Sequence, residues 1–239
     1  MLGLPDSVTA CLFDMDGVLT DTASAHRKAW KQAFDPLLAD RGQPEFTDED
    51  YADHVDGKPR ADGVRDFLRS RGIDLPEGSP DDGADAETIN GVGNRKNQIL
   101  LASIHDDGVA VFEDARRYLE AARDAGLRRL VVSSSANTQD VLHVTGLDRL
   151  VEGRVDGITI KDKHLKGKPA PDSFLEGARV LGVPAAQAAV FEDALAGVQA
   201  GHDGDFGYVV GVNRVDDQHG RELQQHGAST VVASLDQLR

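Results

Sequence analysis

Apolar positions fall along this chain in two rhythms. Short continuous runs, "TACLF" (residues 9–13), "RRLVVSS" (128–134), "AAVFED" (188–193), "YVVGV" (208–212) and "STVVA" (229–233), lack the alternation of a half-solvated sheet. They predict strands covered on both faces. Between them, apolar residues recur three and four positions apart in "EDARRYLEAARDAG", which ends at Gly126, in "PDSFLEGARVLG", with Pro171 near its start and Gly182 at its end, and in "ALAGVQAG". These predict helices. Strand alternating with helix implies an α/β fold with a doubly wound, mostly parallel sheet. One section departs from this order. Residues 22–105 carry the helical stretches "ASAHRKAWKQAFDPLLADRG", "ADGVRDFLRSRG" and "NGVGNRKNQILLASIH" and the Pro-, Gly- and Asp-rich run "LPEGSPDDGADAE", but no buried strand pattern. The expected organisation is a helical cap domain, 22–105, inserted after the first strand of an α/β core made of 1–21 and 106–239.

Charge and composition narrow the partners. At 239 residues with 40% hydrophobic content the chain has ample core for this plan, and its net charge of −15 opposes nucleic acid and anionic membranes. A small anionic substrate remains compatible if local cations or a metal collect it. The single cysteine, Cys11, lies inside an apolar run and reads as a small buried hydrophobe that has no disulfide partner. With no apolar stretch of membrane-spanning length and no charged-then-apolar leader, the expectation is a cytoplasmic protein; it is also expected to be a monomer.

Ligands of open parallel sheets bind beyond the carboxyl ends of the strands, and this rule gathers the candidate chemistry. The first strand runs out into Asp14 and Asp16, the second into Ser133, Ser134, Ser135 and Asn137, a later one into Glu192 and Asp193; Lys168 stands just ahead of a proline-started helix. Carboxylates from two strand ends suit a hard divalent cation, most simply Mg²⁺. Hydroxyls, an amide and a lysine suit the negative oxygens of a phosphoryl group. Two carboxylates at i and i+2 of an extended segment point the same way, so one can attack phosphorus while the other handles the proton of the substrate oxygen. The serine run also suits a helix N-cap, and His26 and Trp30, four apart, share a helical face that serves either packing or a ligand.

"FDMDGVLTDT", "VVSSSAN", "KGKPAPDSF" and "VFEDALAGVQAG" resemble the four ordered motifs of the haloacid dehalogenase superfamily, over nearly the whole chain. "HRKAW", "DGKPR" and "NRKN" resemble cap and hinge elements of its β-phosphoglucomutase-like branch. The resemblance implies Asp14 as a nucleophile that becomes an aspartyl phosphate and Asp16 as general acid and base. It implies Mg²⁺ held by Asp14, the Asp16 carbonyl, Glu192 and Asp193, and the transferring phosphoryl group held by Ser133, Ser135, Asn137 and Lys168. From the cap, Arg60 would grip a second phosphate, with Lys96, His26 and Trp30 around a small phosphorylated sugar. Hinges are expected at 20–23 and 105–108. The chain departs from the family pattern at Ala136, where a lysine is usual, and at Ala194, where a serine is usual. Three functions stay open at this point: a sugar phosphomutase, a sugar-phosphate phosphatase of the same fold, and a non-catalytic sugar-phosphate binder.

Overall fold

The computed structural model describes residues 2–239, apart from the side chains of Ala23, His105, Asp106 and Asp107. Strand β1 (Ala10–Phe13) is followed by four helices, α1 (Ala23–Ala39), the single turn α2 (Asp48–Asp50), α3 (Arg60–Ser70) and α4 (Ile89–Asp107). Then come α5 (Glu113–Asp124), β2 (Arg128–Val132), α6 (Thr138–Thr145), β3 (Arg154–Val155), α7 (Gly157–Asp162), α8 (Asp172–Leu181), β4 (Ala188–Glu192), α9 (Leu195–Asp203), β5 (Tyr208–Val212), α10 (Asp217–Gln225) and β6 (Thr230–Val232). The chain forms two compact units, one of residues up to Asp21 together with Val109–Arg239, the other Thr22–Gly108. The hinge segments expected at 20–23 and 105–108 include Ala23, His105, Asp106 and Asp107, whose side chains lie outside the described residues.

The first unit is built on a six-stranded sheet in the order β3-β2-β1-β4-β5-β6, with every pairing parallel. Its two central strands are apolar up to the closing Glu192 of β4 because helices cover both faces; β1 and β4 have no exposed residue. One cover is α8, whose Phe174, Ala178 and Leu181 join Leu12, Leu130, Val132 and Val190 in a single core cluster. Gly177 lets that helix lie close, since a Cβ there would sit 3.1–3.3 Å from Val132, Leu12 and Leu130. The helix ends where Gly182 turns left-handed at φ +69°. Cys11 is fully buried in β1, and burial pushes its thiol up to about 12, so it behaves as an inert core residue. The order reverses direction between β1 and β4, which makes the crevice beyond their carboxyl ends the switch point of the sheet.

The second unit is helical, with no strand among its described residues. Its core is aromatic: Phe34 stacks on Trp30 at 5.2 Å and meets Phe67 at 4.4 Å, and Phe46 closes the group edge-on to Phe67. The acidic Pro- and Gly-rich stretch between α3 and α4 carries no helix or strand, and Thr88 caps α4 by accepting from the Gly91 N–H at 2.9 Å. A five-residue π-helix, Tyr51–Val55, precedes the "DGKPR" segment and was not foreseen from the sequence pattern. No described helix is long and apolar enough to cross a membrane.

Candidate active site

Strand register decides which residues meet at the switch point. Phe13 pairs with Val131 on one side and Phe191 on the other, so the next residues, Val132, Asp14 and Glu192, stand at one level across three strands. Lys168 enters this level from the segment before α8. Its Nζ lies 2.5 Å from Asp14 Oδ1, 2.5 Å from Glu192 Oε1 and 3.5 Å from the Val132 carbonyl oxygen, over the Phe174 ring at 4.8 Å. Lys168 and Glu192 are buried, and Asp14 is 7% exposed.

Burial pushes the Asp14 carboxyl well above the usual carboxylate range; Lys168 pulls it down, while Glu192 and Asp16 push it further up. Burial acts the other way on Lys168, but the two carboxylates outweigh it and hold the ammonium protonated. Glu192 also accepts from the Ala194 N–H at 2.8 Å. Gly197 makes room for it, since a Cβ there would lie 1.8 Å from Glu192 Oε1.

One oxygen each from Asp14, Glu192 and Asp193 can be chosen so that all lie within 4.8 Å of one another. With Asp16 near enough to act on Asp14, four carboxylates gather at the crevice, Lys168 bridging two of them. An all-oxygen, anionic donor set of this kind fits a hard divalent cation. The Asp16 side chain is not part of the three-carboxylate group; the donor expected from that residue was its backbone carbonyl.

The phosphate-binding candidates follow β2. Ser133 is buried, its N–H donates to Val155, and its hydroxyl accepts from the Ser135 N–H at 3.1 Å; the Ser135 hydroxyl accepts from the Asn137 N–H at 3.2 Å. This nested turn delivers Asn137, itself buried, to the N-cap position of α6, where no side-chain capping hydrogen bond forms, so the run does not serve as the side-chain N-cap it also suited. Ala136 is exposed.

In the helical unit, Lys96 is 4% exposed, with its Nζ 3.0 Å from His26 Nδ1 and 5.0 Å from the Trp30 ring centre. The three side chains therefore form one cluster. Arg60, first residue of α3, is half-buried, and burial alone lowers its pKa; no ion pair to it is present among the described residues. Its Cγ lies 3.3 Å from where a Gly93 Cβ would be, and Gly93 and Lys96, three apart on α4, share a face. Arg60 and Lys96 thus border the same surface of α4.

The glycines at 17 and 197, and Arg214 and His219 after β5, were not singled out from the sequence. Gly17 has φ +83°, and a Cβ on it would lie 1.8 Å from Asp193 Oδ2. Its place directly after the aspartate pair was the available signal.

A parallel sheet whose switch point joins an aspartate, a lysine and an acidic pair, together with a separate helical unit, is the plan of one enzyme class. The chain belongs to the haloacid dehalogenase-like hydrolase family, whose model matches residues 8–205. Within that family it is β-phosphoglucomutase-like: it is 56% identical over 246 residues to the β-phosphoglucomutase of Mycobacterium tuberculosis, covering all of this chain and 94% of that one. The β-phosphoglucomutase of Bacillus subtilis is 28% identical, covering 95% of this chain and 92% of its own length. The crystal structure of a Clostridium difficile β-phosphoglucomutase shares the fold, with a TM-score of 0.78 at 23% identity over 97% of this chain and 93% of that one.

Proposed function

We propose that the protein is a Mg²⁺-dependent phosphomutase that interconverts β-glucose 1-phosphate and glucose 6-phosphate through a sugar bisphosphate. The observation that carries this reading is full-length 56% identity to a β-phosphoglucomutase, on a chain that carries both aspartates, Lys168 and the acidic pair. A phosphatase of the same fold is the disfavoured alternative, and a pure binder would have no use for the buried, mutually repelling acids.

Asp14 is the nucleophile: a carboxylate oxygen forms a bond to phosphorus as the bond from phosphorus to the sugar oxygen breaks, leaving an aspartyl phosphate. Asp16, half-buried and two residues on, gives a proton to that departing oxygen. It takes one back from the sugar hydroxyl that attacks in the reverse transfer. Lys168 offsets charge on the phosphoryl oxygens, assisted by Ser133, Ser135 and Asn137. A Mg²⁺ ion held by Asp14, Glu192, Asp193 and the Asp16 carbonyl would supply positive charge against the phosphoryl oxygens. Residues 22–105 serve as the cap: Arg60 holds the phosphate that is not transferred, and Lys96, His26 and Trp30 face the sugar. A cytoplasmic monomer is part of the same proposal, the compartment supported by a lone, buried and unpaired cysteine.

The deciding experiment supplies Mg²⁺, β-glucose 1-phosphate and a trace of glucose 1,6-bisphosphate, and follows glucose 6-phosphate and free phosphate together. Glucose 6-phosphate without matching phosphate release is the expected result; phosphate release alone would make the protein a phosphatase. Arg60→Ala should cut mutase turnover about 10²-fold, the worth of one or two hydrogen bonds to a charged group. Hydrolysis of p-nitrophenyl phosphate, which has no second phosphate, should change little. Equal losses in both assays would remove Arg60 from its role.

A further inference from the structure

A fourth strand end also reaches the crevice. Glu192 pairs with Gly211 on β5, so the chain leaving β5 after Val212 runs beside Asp193. Two side chains of this exit segment and the helix after it, outside the residues assigned to chemistry above, bond to the backbone of the segments that carry the acid cluster.

Arg214 is the first. Its Nε donates to the Gly17 carbonyl at 3.1 Å, and Nη2 approaches the Val18 carbonyl at 3.4 Å and both oxygens of Asp114 at 3.1 and 3.0 Å. The guanidinium lies 3.8 Å from the centre of the Phe112 ring. Asp114 is itself fixed, accepting from the Ser234 hydroxyl at 2.9 Å and the Leu235 N–H at 2.8 Å. Burial works against its charge, but these donors and Arg214 hold its carboxyl below the usual range. The planar fork of arginine is therefore locked by an anion, a ring and two carbonyls at once, a geometry lysine cannot reproduce.

What Arg214 grips is the turn that carries Asp16. That turn is closed internally by Gly17 N–H to Thr20 and by Leu19 and Thr20 N–H to Met15, so a hold on Gly17 and Val18 is a hold on the whole turn. Gly17 in turn packs directly on the Asp193 carboxylate. His219, on α10, places Nε2 2.7 Å from the Asp193 carbonyl oxygen. Because a carbonyl only accepts, Nε2 carries the proton. The α10 start that presents His219 is capped by Asp216, which accepts from the His219 N–H at 2.9 Å.

We infer that Arg214 and His219 are positioning residues that fix the Asp14–Asp16 turn and Asp193 relative to each other and so set the affinity of the divalent-cation site; this rests on the reading of Asp14, Glu192 and Asp193 as that site. Neither residue touches the reacting atoms. Groups that orient metal ligands in this way are worth about 10- to 100-fold in metal affinity.

Calorimetric titration of the substrate-free full-length protein with MgCl₂, beside a melting curve, tests the inference. Arg214→Ala should weaken Mg²⁺ binding by about tenfold or more. The Mg²⁺ concentration for half-maximal turnover should rise equally, with the KM for β-glucose 1-phosphate little changed. Arg214→Lys, with one ammonium in place of the fork, should fall between. His219→Ala should show the same signature through Asp193. A folded Arg214→Ala protein that binds Mg²⁺ like the wild type overturns the inference and leaves the site assignment standing. If that variant does not fold, Arg214→Lys and His219→Ala are judged by the same criterion. A wild type that neither binds Mg²⁺ nor needs it for turnover removes the metal-site reading, and this inference with it.

Discussion

Asp14→Asn should abolish turnover, by about 10⁴-fold or more, in a protein that melts no lower than the wild type. The first half follows from the chemistry: an amide of the same shape has no carboxylate oxygen to attack phosphorus. The second follows from the site's electrostatics. Asp14 sits in a buried cluster where burial first, then Glu192 and Asp16, raise its carboxyl far above the usual range despite Lys168. A carboxyl whose folded-state value lies above its unfolded one loses stability for the fold as pH rises through that interval. Burial thus opposes its ionised form, and the attraction to Lys168 offsets part of that cost. Asparagine removes that charge, and its Oδ1 still accepts from Lys168 Nζ, now 2.5 Å from Asp14. Rate measurements with β-glucose 1-phosphate beside a Mg²⁺-free melting curve check both halves. Turnover within 100-fold of the wild type would contradict the nucleophile, and a sharply lowered melting point would mean that Asp14 stabilises the fold.

Five of the six strands were legible because they read as short continuous or nearly continuous apolar runs, most completely in the fully buried β1 and β4. The sixth, β3, was not: it is two residues long, at the sheet edge, and one of the two is Arg154. The strand-end rule brought Asp14, Ser133, Glu192 and Asp193 into one inventory, and register explains why it works, since β1, β2 and β4 end at one level. Lys168 lies on no strand, and only its place before α8 and the motif around it marked it out. The same rule applied to β5 leads to Arg214. Among 26 basic residues, however, nothing in "VNRVDDQHG" shows that its guanidinium faces inward onto Asp114, which is a hundred residues distant. Gly17 and Gly197 are a different case. Their value lies in the absence of a Cβ beside Asp193 and Glu192, a steric fact that appears only when the carboxylates are placed. The π-helix at Tyr51–Val55 likewise has no signature in apolar spacing.

Lys168 is where stability and chemistry are most tightly joined, and Lys168→Met separates them. Methionine keeps the buried stem but leaves Asp14 and Glu192 facing each other without the ammonium that now bridges them. Removing one partner of a buried ion pair costs about 3–5 kcal/mol, and for a chain of this length that lowers the melting point on the order of 10 °C. Turnover should fall about 10³-fold, toward the upper range for loss of one charge-stabilising donor. Adding Glu192→Gln then tells the two effects apart. The second change removes one of the unpaired carboxylates, so the double variant should melt higher than Lys168→Met alone. Its turnover should not recover, because no cation has returned to the phosphoryl oxygens and Glu192, assigned above to the Mg²⁺ site, has lost its charge as well. If turnover rose with the melting point, Lys168 would be a scaffold for Asp14 rather than a charge directed at the substrate. If the melting point did not rise, Glu192 would not be the carboxylate that Lys168 neutralises, and the 2.5 Å contact between them would carry no stability.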